Sequence, residues 1–441
     1  MFNTVASQSI FPFLVKLAGT AVAFALSVTL ARVLGVGEFG AYSLVVSAVM
    51  MLAIPIQAGL PTLATREVSR AKAAGQNDKI FSYIRWSSRV IFIYFAIVGT
   101  IIILVSLAFP GHGFTRNLLV AVFSVATIAV TLRNSAISRG LGHFVRGSLP
   151  DVLIRPAVQL SVFMAVLYFA EELAQRAPWA LVTFVCASVF ACVLSILWRS
   201  SALPPKDLAM ADGGQVYVEG WGKAALLLTV VGGGQIFFGH IDTLMLGLLG
   251  DETDVGAYRV AVQLSMLVIF ALSVVNHVIQ PKLSELHSQR DITGMQKLVA
   301  DSSLLMFLAT LIPAVIAAAM APQILEFVFG KDYRVAAPAL QILIFGQVLN
   351  VFFGSVGTIL NMTGMEKEAT QGMVIAIIIN ISLDVVLIPF FGLTGAALAS
   401  AITIIIWNAI LRHYVKDSLG IESSGVIEHT RRLLGSVWPR S

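Results

Sequence analysis

Charge is scarce in this chain: 12% of its 441 residues are Asp, Glu, Lys or Arg, against 57% hydrophobic. Soluble domains of that length could not cover so much apolar surface, so two or three water-soluble domains are excluded. Cysteine is scarcer still, with only Cys186 and Cys192, both in one apolar run, which excludes a disulfide framework. There is no phosphate-cradling glycine loop, no His/Cys metal spacing and no nucleophile paired with a base, so the common enzyme signatures are missing. No basic stripe with interleaved aromatics lies in a polar segment, and the net charge of +5 therefore does not indicate nucleic acid. Short alternating segments of a β-barrel are absent as well. A secretory leader is not expected, although Ala23-Phe24-Ala25 imitates a cleavage site: no Lys or Arg precedes the first apolar run, Lys16 interrupts it, and it continues past Leu30.

What the chain does contain is long uncharged runs. A hydrocarbon layer about 30 Å thick takes roughly 20 apolar residues per helix, and backbone groups cannot face lipid unpaired. The runs predict an all-α polytopic membrane protein with twelve spans, near 10–33, 41–65, 87–109, 115–138, 149–170, 178–199, 224–249, 256–281, 302–325, 337–361, 370–391 and 393–414. This divides the chain into an N-terminal six-helix lobe (1–199), a cytoplasmic linker (200–223), a C-terminal six-helix lobe (224–415) and a polar cytoplasmic tail (416–441), in which the segment His429 to Arg440 is expected to be disordered by default or else to rest on the inner membrane surface. Of the 29 basic residues, alternate connections place twenty on one side and four on the other, with five at membrane depth or its edge. Short cytoplasmic loops hold the excess, so both termini are expected inside. Trp86, Trp179, Trp198 and Trp221, near run ends, suit an aromatic belt.

A signature is written twice. Leu34-Gly35-Val36-Gly37-Glu38-Phe39-Gly40-Ala41-Tyr42 returns, one residue longer, as Leu249-Gly250-Asp251-Glu252-Thr253-Asp254-Val255-Gly256-Ala257-Tyr258. Six spans per half return the chain to its starting side, so the two lobes are a parallel repeat, and a central cleft between them is expected.

Charges inside a bilayer are costly and point to function. Lys16, Thr20, Ala23 and Ser27 lie at i, i+4, i+7 and i+11 and share a helix face. Arg133 has no acidic residue within four positions; Arg155 has Asp151 four residues earlier, and Gln159 continues its face. Lys16, Arg133, Arg155 and Gln159 form the expected substrate-binding set, suited to phosphate, which Arg grips bidentately. The plainer alternatives are snorkelling for Lys16 and an intrahelical ion pair for Arg155. Arg32 and Arg259 flank the two signatures at outer span ends; interfacial snorkelling or pairing with Glu38, Asp251, Glu252 or Asp254 is expected there, as part of an outer gate. The second lobe carries the opposite sign: Asp242, Asn380 and Asp384, with Ser400, offer oxygen ligands suited to a hard cation or a proton relay, or else a structural hydrogen-bond cluster. Gly232-Gly233-Gly234 is expected to let the seventh span bend. Asn276, His277 and Gln280 approach the inner end of the eighth span, and His240, near Asp242, is read as a packing residue.

The repeated signature, Gly59-Leu60-Pro61 with Arg66-Glu67, and Asp242-Thr243-Leu244-Met245-Leu246-Gly247 together resemble the bacterial polysaccharide and O-antigen flippases of the multidrug/oligosaccharidyl-lipid/polysaccharide exporter superfamily. The resemblance covers essentially the whole chain through loose motifs. It implies a non-enzymatic flippase that moves an undecaprenyl-pyrophosphate-linked oligosaccharide repeat unit across the bacterial inner membrane by alternating access. It implies service to O-antigen, lipopolysaccharide or exopolysaccharide synthesis, with a polysaccharide polymerase and export machinery as partners. Asp242, Asn380, Asp384 and Ser400 look like counterparts of the sodium site of lipid II flippases, so a sodium ion or a proton is the implied coupling species and no other cofactor is expected. Two further C-terminal helices of those proteins are missing here, which argues against lipid II as substrate. The alternatives are a drug or organic-cation antiporter of the same fold and a membrane glycosyltransferase or ligase. The latter usually needs a large outer loop, and the longest here runs only from about Glu326 to Ala336.

Overall fold

A computed structural model describes residues 2–109, 113–203 and 220–437; the side chains at 2–13, 231, 270, 271, 273, 274, 277, 278 and 432–437 lie outside that description. His277, most of the expected linker (204–219) and the last four residues are among those left out. Every regular element among the described residues is helical. In the first half, α1 (2–34) and α2 (36–57, continued by Gly59–Ala73) are followed by α3 (Asn77–Ala108), α4 (Gly113–Gly140), α5 (Phe144–Phe169) and α6 (Ala177–Ala202). In the second, α7 (Trp221–Phe238 and Ile241–Leu249), α8 (Glu252–Val268 and Phe270–Ser288), α9 (Ile292–Ala319) and α10 (Lys331–Phe352) precede α11 (366–391) and α12 (393–419). Nine described stretches are long and apolar enough to cross a bilayer. Two of them, Leu14–Ala73 and Glu366–Leu419, each hold two crossings, and α8 supplies one more, so all twelve expected spans are present.

The two double rods break at glycine. Gly35, inside the first signature, has φ 72° and ψ 175°, and Gly392 has φ 53° and ψ −133°, conformations that a Cβ opposes. Each break lets the chain reverse between two spans without a loop. Some helices outrun their apolar windows on the basic side: α3 begins at Asn77 rather than near 87, and α9 at Ile292 rather than near 302. Hydropathy marks only the segment inside hydrocarbon, whereas backbone hydrogen bonding carries the helix on; Asp291 then caps α9 by accepting from the Gly294 N–H at 2.8 Å.

The chain divides into two compact units, Met1–Leu244 and Met245–Ser441. The start of α7 lies in the first unit because it packs on α2. Trp221 stacks at 5.4 Å from Tyr83 and 5.6 Å from Trp86 in a buried cluster, and the Thr229 hydroxyl donates to the Pro55 carbonyl at 3.3 Å. Trp221 is thus core rather than interfacial belt, since its ring finds apolar partners inside the bundle. The helix runs unbroken through Gly232–Gly234, where a Cβ on Gly233 would stand 2.7 Å from the Ile54 side chain. Close approach to α2, not bending, is what that glycine supplies, and the interruption falls later, at Gly239-His240.

The signature's role in folding is the same in both units. The Glu38 carboxylate accepts from the Ala177 N–H at 2.6 Å, at the first turn of α6. Its counterpart Asp254 accepts from the Leu393 N–H at the first turn of α12. Each acid therefore satisfies an orphan amide and opposes the positive helix end of the sixth span of its own unit. Four residues on, the matching tyrosines are buried: Tyr42 accepts from Gln159 at 2.8 Å, and the Tyr258 hydroxyl meets that of Ser400 at 3.1 Å.

The expected tail is helical through Leu419 and again over Gly425–Val437, where disorder was the default from His429; residues 438–441 lie outside the described residues. Ile421–Ser424 is a buried strap in which Glu422 receives two guanidinium bonds from Arg412 (2.8 and 2.6 Å) and its backbone pairs with Gln296 (2.7 and 3.0 Å). The strap leads into an amphipathic helix, Gly425–Val437. Paired polar groups, invisible to hydropathy, hold this polar segment in place.

Candidate functional site

In the second unit, a Cβ on Gly395 would lie 2.3 Å from the Leu387 carbonyl, so α11 and α12 touch backbone to backbone there. At a rise of 1.5 Å per residue this contact sets Asp384 and Ser400 within about 3 Å of the same depth, and Asn380 and Thr403 within about 2 Å. All four are enclosed: Asn380, Asp384 and Thr403 are 0% exposed and Ser400 is 7%. α10 covers the same level, since a Cβ on Gly346 would meet Ala401 at 3.0 Å. Among the described residues, neither amide atom of Asn380 nor the Thr403 hydroxyl has a hydrogen-bond partner. Each such orphan costs about 1–3 kcal/mol, which a small oxygen-seeking guest would recover. One carboxylate with amide and hydroxyl oxygens suits a hard cation or a proton. No three His, Cys, Asp or Glu gather among the described residues, so a transition-metal site is not formed.

Thr403 was not anticipated from sequence, because a lone threonine in an apolar run carries no signal. Below it, a ladder also escaped notice: Asn408 donates to Asn350 at 3.0 Å, and Asn350 to Gln347 at 3.1 Å. Asp242 belongs to the first unit, 7% exposed, beside His240, whose ring lies 3.2 Å from the Ser47 hydroxyl on α2. The packing role read for His240 fits that contact.

The first unit distributes the expected substrate-binding residues over separate surroundings. Lys16 is exposed on α1 with Thr20 and Ala23 along the same face. One turn on, a Cβ at Gly19 would lie 2.3 Å from the Val152 carbonyl, so α1 rests on the π-helical turn Pro150–Ile154 within α5. Arg155 follows three residues later, bound to Asp151 at 3.0 Å and standing 5.9 Å over the Phe184 ring. Its intrahelical ion pair is therefore formed. Gln159 is buried and donates to Tyr42. Arg133 is enclosed between α3, α4 and α6 at 3% exposure, with its donors directed at Ser87, Ser88 and Asn134 and none at Lys16 or Arg155. Arg32 is exposed on α1, three residues before the Gly35 break, and Arg259 is half-buried two turns into α8. Glu38, Asp251 and Asp254, named as acids for these two arginines, bind the backbone amides of Ala177, Asp254 and Leu393 within their own units.

A cavity of about 380 Å³, lined by Pro61, Thr62, Thr65, Arg66 and Arg139, opens at the basic end of the first unit, between α2 and α4. Arg66 shares Glu67 at 3.0 Å and Arg139 donates to the Gly147 carbonyl at 3.0 Å, which leaves further guanidinium N–H groups at the cavity. Neither Arg66, which entered the family resemblance with Glu67, nor Arg139 was expected at a site. Their separation in sequence hides the pairing that packing of α2 on α4 creates.

Twelve spans with basic and hydroxyl groups at a cavity and a buried carboxylate between spans define a multi-pass membrane transport protein. The sequence pattern of the polysaccharide biosynthesis protein family matches residues 5–287, and that of the MatE family matches 233–386. The chain belongs to the polysaccharide biosynthesis protein family, and the proteins of these families and folds that it resembles are transporters and flippases rather than enzymes. It is 26% identical over 195 residues to a probable low-salt glycan biosynthesis flippase, Agl15, of Haloferax volcanii, covering 43% of this chain and 40% of that protein. It is 34% identical over 174 residues to an uncharacterized membrane protein of Methanocaldococcus jannaschii, covering 38% and 33%. The aligned stretches thus span less than half of these curated relatives. The fold superposes on lipid II flippase MurJ in an inward closed conformation with a TM-score of 0.76 at 14% identity, covering 92% of this chain and 88% of MurJ. An inward-facing multidrug resistance MATE family transporter of the MOP superfamily gives 0.75 at 14% identity, covering 92% and 98%.

Proposed function

We propose that this protein is a flippase for a lipid-linked glycan. Its substrate is an undecaprenyl-pyrophosphate-linked oligosaccharide repeat unit, carried from inner to outer leaflet of the inner (plasma) membrane by alternating access. The termini lie in the cytoplasm, and the product feeds a polysaccharide polymerase and export machinery for O-antigen, lipopolysaccharide or exopolysaccharide. Membership of the polysaccharide biosynthesis family and the flippase relative in Haloferax volcanii support the substrate class. The observation that carries the reading is the basic cavity: two guanidiniums and two threonine side chains around 380 Å³, room for a diphosphate and its first sugar. The excess of Lys and Arg at that end supports a cytoplasmic position for it, the side on which the substrate is made. Lys16 and Arg155, on the touching segments of α1 and α5, then meet the head group as it moves inward; Asp151 shares the Arg155 charge until phosphate replaces it. Sodium or a proton at Asn380, Asp384 and Ser400 of the second unit biases the outward-open state through differential affinity, and Asp242 of the first unit is a separate candidate for cation or proton coupling.

In proteoliposomes carrying a pyrophosphate-linked glycolipid, Arg66→Gln with Arg139→Gln should lower the flipping rate at least tenfold. An unchanged rate for the double variant would remove the cavity from the path. The MatE match over 233–386 favours organic-cation antiport as a second reading. That reading gains if the double variant still exports cations while Asp384→Asn does not.

A further inference from the structure

Two arginines inside the first unit share a single neutral partner. Arg133 of α4 and Arg199 of α6 both donate to the side-chain oxygen of Asn134, at 3.0 and 3.1 Å, which holds the two guanidinium nitrogens within about 6 Å of each other. The remaining contacts are neutral too: Arg133 reaches the Ser88 hydroxyl at 2.7 Å and that of Ser87 at 3.3 Å, and the Asn134 amide is held by Ser195 at 3.1 Å. The buried Nε of each guanidinium lacks a partner, and among the described residues no Asp or Glu pairs with either. An enclosed cation beside a half-buried one, without a counter-ion, is an arrangement folded proteins avoid unless an anion from outside completes it.

The cluster opens toward lipid. Ser88 is exposed on α3, with exposed Arg85 and Arg89 on either side of it. One turn further along α3, Phe92 and Ile93 are 72% and 58% exposed; one turn back along α6 from Arg199, Ile196 and Leu197 are 38% and 59% exposed. Because α3 and α6 run in opposite directions, both apolar faces extend the same way from the polar cluster, toward the bilayer interior. A phosphate at Ser88 and Arg199 would thus have acyl chains lying against Phe92, Ile93 and Leu197. Free phosphate would gain nothing from those faces.

We propose that the surface where Ser88 of α3 and Arg199 of α6 flank α4 is a binding site for the phosphate of an anionic phospholipid, separate from the translocation path. Basic pockets between spans on the cytoplasmic side are a general way of holding such head groups. Arg199, Ser88 and the flanking Arg85 and Arg89 contact the phosphate, while Arg133 supplies the enclosed positive charge behind them. The lipid neutralises the pair and ties α3, α4 and α6 together.

The test is native mass spectrometry of the purified full chain with phosphatidylglycerol or phosphatidylcholine added in detergent, alongside thermal unfolding in each lipid. Wild type should retain phosphatidylglycerol at least tenfold over phosphatidylcholine and unfold several degrees higher in it. Arg199→Gln, and separately Arg85→Gln with Arg89→Gln, should lose that preference, and Arg290→Gln, on an exposed turn of the second unit, should keep it. Because Arg133→Gln can fail for want of folding, the wild-type comparison of head groups stands by itself. Equal retention of both lipids, undiminished preference in Arg199→Gln, or displacement of phosphatidylglycerol by millimolar inorganic phosphate would each overturn the proposal.

Discussion

Replacing Asn380 by leucine tests whether the buried group between α11 and α12 is built around a guest. Its amide oxygen and nitrogen are fully enclosed and lack partners among the described residues, so without a bound cation or proton-carrying species the native state bears about 1–3 kcal/mol for each orphan. Leucine has nearly the same shape and no polar atoms. In sodium-free buffer near neutral pH, Asn380→Leu should therefore be more stable than wild type by about 2 kcal/mol, allowing for imperfect packing, or roughly 4–8 °C in Tm. Adding sodium at about a hundred times its dissociation constant should stabilise wild type by about 2.7 kcal/mol and close the gap, while the variant gains nothing. If a proton is the guest, lowering the pH does what sodium would do. Thermal unfolding followed by tryptophan fluorescence reads both, and the variant should transport at background rate. The reasoning fails if wild type is indifferent to sodium and to pH while Asn380→Leu is less stable, because the amide would then be serving packing alone.

Three further outcomes follow from other parts of the fold. Glu38→Ala and Asp254→Ala each strip a cap from the sixth span of a unit and should each lower stability by about 1–2 kcal/mol in denaturant or thermal unfolding; Glu38→Asp should recover part of the loss. Gly392→Ala must place a Cβ at φ 53° and 2.7 Å from the Asp254 carboxylate, and should cost about 2 kcal/mol or more, whereas alanine at Gly37, where space is open, should be near neutral. Burial alone would raise the Glu422 carboxyl, but the Arg412 and Ser424 hydrogen bonds and the charges of Arg412 and Lys416 outweigh it and hold the group below its ordinary value. A depressed carboxylate stabilises the fold above its unfolded-state value, about 4.3, and loses that contribution as pH falls through the folded value. Hydrogen exchange at Ile421–Ser424 should accordingly stay slow at neutral pH and quicken as the pH falls through the folded value, with Arg412→Gln producing the same release at pH 7.

The twelve spans, the repeat and the basic side could be read from the chain because they depend on quantities local in sequence: run length against bilayer thickness, and charge between runs. Asn380 and Asp384, one turn apart on one helix, were legible for the same reason. Thr403, Asn350 and the pair Arg66 and Arg139 were not, since each is an ordinary residue until another span packs beside it. The signature shows both sides: its repetition could be seen in the letters, but that Glu38 and Asp254 cap spans that start 139 residues later in each case could not.

By itself the sequence determined that this is a two-fold repeated bundle of membrane helices carrying few charges, because apolar length and backbone hydrogen bonding in lipid leave no other solution. Only the tertiary structure decided what those charges do. It enclosed Arg133 with Arg199, paired Arg155 with Asp151, brought Arg66 and Arg139 to one cavity, and sealed Asn380 and Asp384 against α12. A side chain's partners depend on the rotation and depth of neighbouring helices, and packing of whole spans sets those, not the residues on either side of it in the chain.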